Sequence, residues 1–258
     1  DAWMVSRVGD DSLGHSALET LRQHGVNVSC VSRDPLHPTG TVQVELDSAG
    51  KPSFTIGEDV AWDHLQWSEQ TEQLAARSDA ICFGTLGQRS NESRQVIQRF
   101  LAAVPETALR ILDVNLRAPF YDDQIIQQSL ELANVFKLSD DELSTVAAAC
   151  GISGNEAEML SGLIQRYALR LIALSRGGRG ATLFREQERS DCEGVPVEVK
   201  DTVGAGDAFT ATLALGLLTD KPLAAINRRA CEIAAYVCSQ SGATPPLPDH
   251  LRGDDWGT

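Results

Sequence analysis

A chain of 258 residues, 42% hydrophobic and 22% charged, fits one large α/β domain of ordinary globular composition. Its net charge of −14 argues against a nucleic-acid surface, which needs clustered Lys and Arg, yet permits a phosphate ligand held by local donors. The apolar runs are too short to span a bilayer, so neither nucleic acid nor a membrane is an expected partner.

The six cysteines (Cys30, Cys82, Cys150, Cys192, Cys231, Cys238) form no C-x-x-C pair, and no histidine stands at a zinc-like spacing. Cys82 in an apolar run and Cys231 in a helical one read as buried, reduced thiols, which implies a reducing cytoplasm.

In chain order, short β-rich runs alternate with longer segments of helical period. Trp3–Val8 reads as a strand and "SLGHSALETLRQHGV" as a helix closed by Gly25. Then come "AICFG" and a helix over Glu92–Val104, "LRILDV" and Asp123–Ala133, "NVFKL" and Asp140–Ala149. A helix over Asn155–Tyr167 precedes the strands "LRLIAL", "GATLF" and "VPVEVK", and helices at about Ala205–Leu218 and Pro222–Ser239 end the series. The alternation predicts a mostly parallel sheet with helices on both faces. One segment breaks it. "TGTVQVELDSAGKPSFTI" alternates with period two across a "DSAG" turn, which predicts an antiparallel hairpin at about 39–57. It is either a lid over a site or an edge hairpin with a packing role.

"KDTVGAGDAFTATLALGLL", Lys200 to Leu218, puts flexible residues where a strand gives way to an apolar helix. Gly204, Ala205 and Gly206 free the backbone so that amides at the helix start converge on an anion. Asp207 follows in the first turn. There it either complements the helix dipole or accepts a proton from a hydroxyl while the amides hold a phosphoryl group.

"DTVGAGDAF" resembles the signature of the ribokinase-like carbohydrate kinases, the phosphofructokinase B family. The resemblance implies a three-layer α/β sandwich with a mostly parallel central sheet and a small β lid, as one kinase domain over 1–258. By position it makes Asp207 the catalytic base and Gly204, Ala205 and Gly206 the anion hole. "VGDDSLGHSALETLRQHGVN" is similar to the family's G-x-D-x-x-G stretch. "SRGGRG" takes the place of its T-x-G-x-x-G loop, with Ser175, Gly177 and Gly180 against the nucleotide phosphates and Arg176 and Arg179 adding charge; the alternative is a glycine-rich hairpin turn.

"DVNLR" resembles the family's D-x-N-x-R loop, so that Asn115 and Arg117 face the sugar and the transferred phosphate; an Asx turn with a surface arginine is the other reading. "KLSDDE" resembles N-x-x-E, whose glutamate, here Glu142, helps to hold Mg2+ through water, with Ser139 replacing the usual asparagine. Ser139 and Glu142 also form a capping box, which explains both residues without a metal. "QSGATPPLP", with Gly242, resembles the loop that closes the nucleotide pocket, and Asp201 borders a K+ site in some members; otherwise it is a proline-rich exit from the last helix.

The resemblance thus implies ATP-dependent phosphorylation of a primary sugar hydroxyl, fructose first, and a homodimer through the lid. The alternatives are a 2-keto-3-deoxygluconate kinase, another sugar or nucleoside kinase, or a module that binds without turnover. Sequences of the family begin with a strand and a G-G-x-x-N segment that "DAWMVSRVGDD" lacks, so the native polypeptide is expected to begin earlier.

Overall fold

The computed structural model describes residues 1–46, 52–185, 188–253 and 256. They divide into two compact units, Asp1–Ser78 with Gly87–Glu106, and Asp79–Leu86 with Thr107–Thr258.

In the first unit, β1 (Trp3–Gly9) and β2 (Asn27–Asp34) pair in parallel. The crossover is α1 (Ser12–Gln23), which starts where Asp11 accepts the Gly14 amide. Asp11 also takes the Thr39 amide at 2.8 Å and its hydroxyl at 2.7 Å, and these bonds, the Thr39 amide foremost, hold its carboxyl below the usual range. The predicted hairpin forms: β3 (Val42–Leu46) runs antiparallel to β4 (Pro52–Ile56). The "DSAG" turn itself, at 47–50, lies outside the described residues. A 3-10 turn (Ala61–His64), α2 (Glu69–Ala75) and α3 (Asn91–Ala103) follow in this unit, α2 and α3 each starting on a serine cap, Ser68 and Ser90.

The second unit carries a six-stranded mixed sheet. Its strands are β5 (Ala80–Phe83), β6 (Leu109–Asp113), β7 (Val135–Ser139), β8 (Leu171–Ser175), β9 (Ala181–Phe184) and β10 (Arg189–Cys192), in the order β10-β9-β8-β7-β6-β5. β5 to β8 are parallel, and β9 and β10 turn back antiparallel. The helices are α4 (Asp123–Leu132), α5 (Asp140–Ala149), α6 (Glu156–Tyr167), α7 (Ala205–Leu218), α8 (Leu223–Cys238) and the short α9 (Asp249–Arg252). Ile111, Val135, Leu171 and Ala173 meet Phe209, Leu213, Ile226 and Ala230 of α7 and α8. The alternate residues Leu112, Phe136, Leu138, Ile172 and Leu174 point the other way, where α4, α5 and α6 pack on β6, β7 and β8. With both faces covered, the central strands read as continuous apolar runs. Each fully buried Leu, Ile or Phe contributes about 1.5–3 kcal/mol.

Two sequence expectations need correction. "VPVEVK" is not a strand; β9 pairs instead with Arg189–Cys192. That edge is pinned by polar bonds: Thr182 Oγ1 donates to Asp191 at 2.6 Å and the buried Asn227 donates to the Ser190 carbonyl at 2.8 Å. Beyond it the chain crosses the 177–180 turn so closely that a β-carbon on Gly194 would stand 2.0 Å from the Gly178 carbonyl oxygen. Val195, Val197 and Val199 then run out unpaired and exposed. Cys82, expected to be buried, is exposed on the edge strand β5, whereas Cys231 is buried as expected; all six cysteines are free thiols.

Candidate active site

The C-terminal ends of parallel strands are where an open α/β sheet binds ligands. Asp113 ends β6, Ser139 ends β7 and Ser175 ends β8, with Asp113 opposite Lys137 and Ser139 opposite Ser175 in register. Asp113 and Lys137 extend the rows that begin with Ile111 and Val135, so both face α7. Lys137 Nζ donates to Asp113 Oδ1 at 2.9 Å, and Thr210 Oγ1 of α7 donates to Asp113 Oδ2 at 2.9 Å. Burial pushes the Asp113 carboxyl up, with Lys137 opposing it. Lys137 Nζ also lies 3.3 Å from where a β-carbon on Gly206 would stand.

α7 begins at Gly204, whose left-handed backbone (φ 83°) is open to glycine, and no side chain caps its amides. A β-carbon on Gly204 would lie 2.3 Å from Ala243 O, so the glycine also lets the 240s loop close on the helix start. Asp207 stands exposed in the first turn. An uncapped helix N-terminus with a free carboxylate beside it can hold an anion and receive a proton.

The remaining expected residues gather at this crest. Glu142 takes the amide and hydroxyl of Ser139 on Oε2, both at 2.8 Å, and the amide of Leu116 on Oε1 at 2.7 Å. The expected capping box is therefore present, and it reaches further: it holds the loop carrying Asn115 and Arg117, whose side chains are exposed. Asn115 takes a left-handed backbone (φ 41°), which asparagine tolerates. Asp201 accepts the amides of Val203 at 3.0 Å and Gly242 at 3.1 Å and so ties the signature loop to the 240s loop. Ser175 donates to the Leu138 carbonyl at 3.3 Å. Gly177 and Gly180 frame a tight turn whose two arginines are both paired, Arg176 with Glu156 at 2.7 Å and Arg179 with Asp140.

Three residues at the site escape sequence reasoning as functional: Lys137, Asp113 and Thr210. The available signal was a lysine inside the otherwise apolar "NVFKL" and an aspartate closing "LRILD". Beside the helix start lies a mainly apolar cavity of about 560 Å3, lined by Gly204, Asp207, Ala211, Ile233, Val237 and Ala243 among others. A hollow of about 670 Å3 near the end of α6 holds none of the expected residues.

A six-stranded α/β sheet with an anion-ready helix start at its crest is the ribokinase-like architecture. A carbohydrate kinase of the pfkB family from Listeria grayi superposes on it with a TM-score of 0.82 at 18% identity, over 95% of this chain and 81% of that one. The family model for the pfkB family carbohydrate kinases matches residues 1–250, and the chain belongs to this family. PH1459, an uncharacterized sugar kinase from Pyrococcus horikoshii, is 27% identical over 257 residues, which cover 96% of this chain and 78% of that protein. Its crystal structure in complex with ATP superposes with a TM-score of 0.77 at 26% identity, over 93% and 78% of the two chains. A fructokinase from Salmonella typhimurium is 30% identical over 220 residues, covering 83% and 70%. The protein is accordingly an ATP-dependent carbohydrate kinase. Among the described residues, no helix is long and apolar enough to cross a membrane.

Proposed function

We propose that this kinase is a cytoplasmic fructokinase in which Asp207 is the general base. The observation that carries the base is the uncapped start of α7, with Gly204 in a left-handed turn and Asp207 in the first turn of the helix. Asp207 takes the proton from the primary hydroxyl as that oxygen attacks the γ-phosphorus and the bond to ADP breaks. The amides of Gly204, Ala205 and Gly206 receive the charge that builds on the phosphoryl oxygens. Lys137, held by Asp113 behind Gly206, adds a fixed positive charge to the same region. Asn115 and Arg117 contact the sugar and the transferred phosphate. Ser175, Gly177, Gly180 and Gly242 contact the nucleotide, and the apolar cavity beside Gly204 receives its base.

Magnesium, when bound with the nucleotide, neutralises charge on the phosphoryl oxygens. Glu142 fits it through water only, since Oε2 already accepts two protein donors and Oε1 one, which leaves a single lone pair, on Oε1. Asp201 accepts one donor on each oxygen and so keeps one lone pair on each toward K+. On the resemblance alone, the 39–57 hairpin is the water-excluding lid and the surface for a homodimer.

Fructose is favoured because the relative at 30% identity is a fructokinase. The test is ATP-dependent phosphorylation by the full-length protein across fructose, 2-keto-3-deoxygluconate, ribose and nucleosides. Fructose is expected to give the highest kcat/KM, and Asp207→Asn to lower turnover by about a hundredfold or more with ATP affinity little changed. A tenfold preference for another acceptor would remove fructose, and near-normal turnover of Asp207→Asn would remove the base.

A further inference from the structure

In the first unit, well apart in sequence from the kinase signature, three side chains converge from two segments: His37 follows β2, and Asp59 and His64 belong to the connection after β4, His64 at the end of its 3-10 turn. His64 Nε2 lies 2.9 Å from Asp59 Oδ1, and His37 Nε2 lies 3.9 Å from the same oxygen. The three ligand-capable atoms all fall within 4.8 Å of one another. We propose that His37, Asp59 and His64 form a binding site for a divalent transition-metal ion of the zinc class. The proposal is independent of the fructokinase reading.

Zinc at arms of about 2.0–2.1 Å and tetrahedral angles puts its ligand atoms about 3.3 Å apart, and the two observed separations bracket that value. Each ring is also held from behind. His64 Nδ1 stands 3.0 Å from Glu92 Oε2, and His37 Nδ1 stands 2.9 Å from Asp34 Oδ2. A carboxylate on Nδ1 fixes the tautomer whose Nε2 lone pair faces the ion, which is the usual outer support of a histidine ligand. The rings stack with centroids 3.7 Å apart and planes 16° from parallel.

Charge argues the same way. Asp34, Asp59 and Glu92 bring three negative charges, and Arg7, 3.2 Å from Asp34, offsets one. With both imidazoles neutral the group carries about −2, which a divalent ion balances. Two imidazoles with one carboxylate suit zinc-class ions better than Mg2+ or Ca2+, which prefer all-oxygen sets. Bound there, the ion ties the end of β2, the turn after β4 and, through Glu92, the start of α3 into one knot at the base of the hairpin.

The experiment is calorimetric titration of the full-length, nucleotide-free protein with Zn2+, with Mg2+ as the control ion and Co2+ as the spectroscopic probe. One Zn2+ per chain is expected, with a raised Tm and Co2+ bands that lack thiolate charge transfer. His64→Gln is expected to weaken Zn2+ binding roughly a hundredfold and Glu92→Gln roughly tenfold. Should His64→Gln fold poorly, Asp59→Asn carries the test, because Asp59 is 80% exposed at its side chain and asparagine accepts its left-handed backbone (φ 53°). Failure to saturate below about 1 mM Zn2+, thiolate bands with Co2+, or unchanged affinity in Asp59→Asn would each overturn the proposal.

Discussion

Lys137 is a charged side chain within a strand that is otherwise apolar, and only 8% of its surface is exposed. Its partner Asp113 is similarly enclosed, so removing one of them strands the other. Lys137→Met is expected to lower stability by about 3 kcal/mol or more, read from the urea midpoint, while Lys137→Met with Asp113→Leu regains most of it. A single variant within about 0.5 kcal/mol of the parent would mean that the pair contributes nothing to stability. This pair was not legible in the sequence, because it depends on β6 and β7 lying side by side with Asp113 opposite Lys137. The helix start at Gly204, with Asp207 in its first turn, was legible, since turn and helix there form one contiguous string. His37, Asp59 and His64 are the opposite case: the loop after β2 meets the connection after β4, and no spacing rule announces that meeting.

At the scale of elements, Glu142 shows how a helix cap comes to govern a neighbouring loop. Its two oxygens serve three donors, the Ser139 amide and hydroxyl and the Leu116 amide. Glu142→Gln replaces one acceptor oxygen by an NH2 group and leaves at least one of these donors facing another donor. The expected loss is about 1–3 kcal/mol in thermal unfolding, together with a higher KM for the sugar as the Asn115–Arg117 loop loosens. An unchanged Tm with only a shifted Mg2+ requirement would assign Glu142 to the metal alone. Elements with strong periodicity were readable, including α1, α3 to α8 and the buried strands. β10 was hidden because its residues, Arg189 to Cys192, are mostly polar and owe their strand to Thr182, Asp191 and Asn227. "VPVEVK" misled in the opposite way: it has the alternation of a strand, but no strand among the described residues pairs with it.

Over the whole molecule, a net charge of −14 sets a repulsive background for any nucleotide. The donors at the start of α7 must overcome it locally, and added salt weakens the long-range part first. The KM for ATP is therefore expected to fall about twofold as NaCl rises from about 20 to 200 mM, at fixed Mg2+. A KM that rises instead would show that attraction at the site outweighs the global field. The alternation of apolar runs and helical periods made the α/β class readable, because each compact unit has a parallel βα crossover, β1–α1–β2 in one and β6–α4–β7 in the other, and such units declare themselves by rhythm.

The turn at Gly177–Arg179 offers an experimental window. A β-carbon on Gly180 would collide with the Cys192 carbonyl at 2.0 Å, so that position is closed to any side chain. Gly178, two residues earlier, is exposed, lacks a left-handed backbone and meets nothing within 4 Å of such a carbon. A fluorophore attached there would sit on the loop assigned to the nucleotide phosphates without displacing any atom of it. Arrival and departure of the nucleotide then become optical events that can be timed directly, one turnover after another.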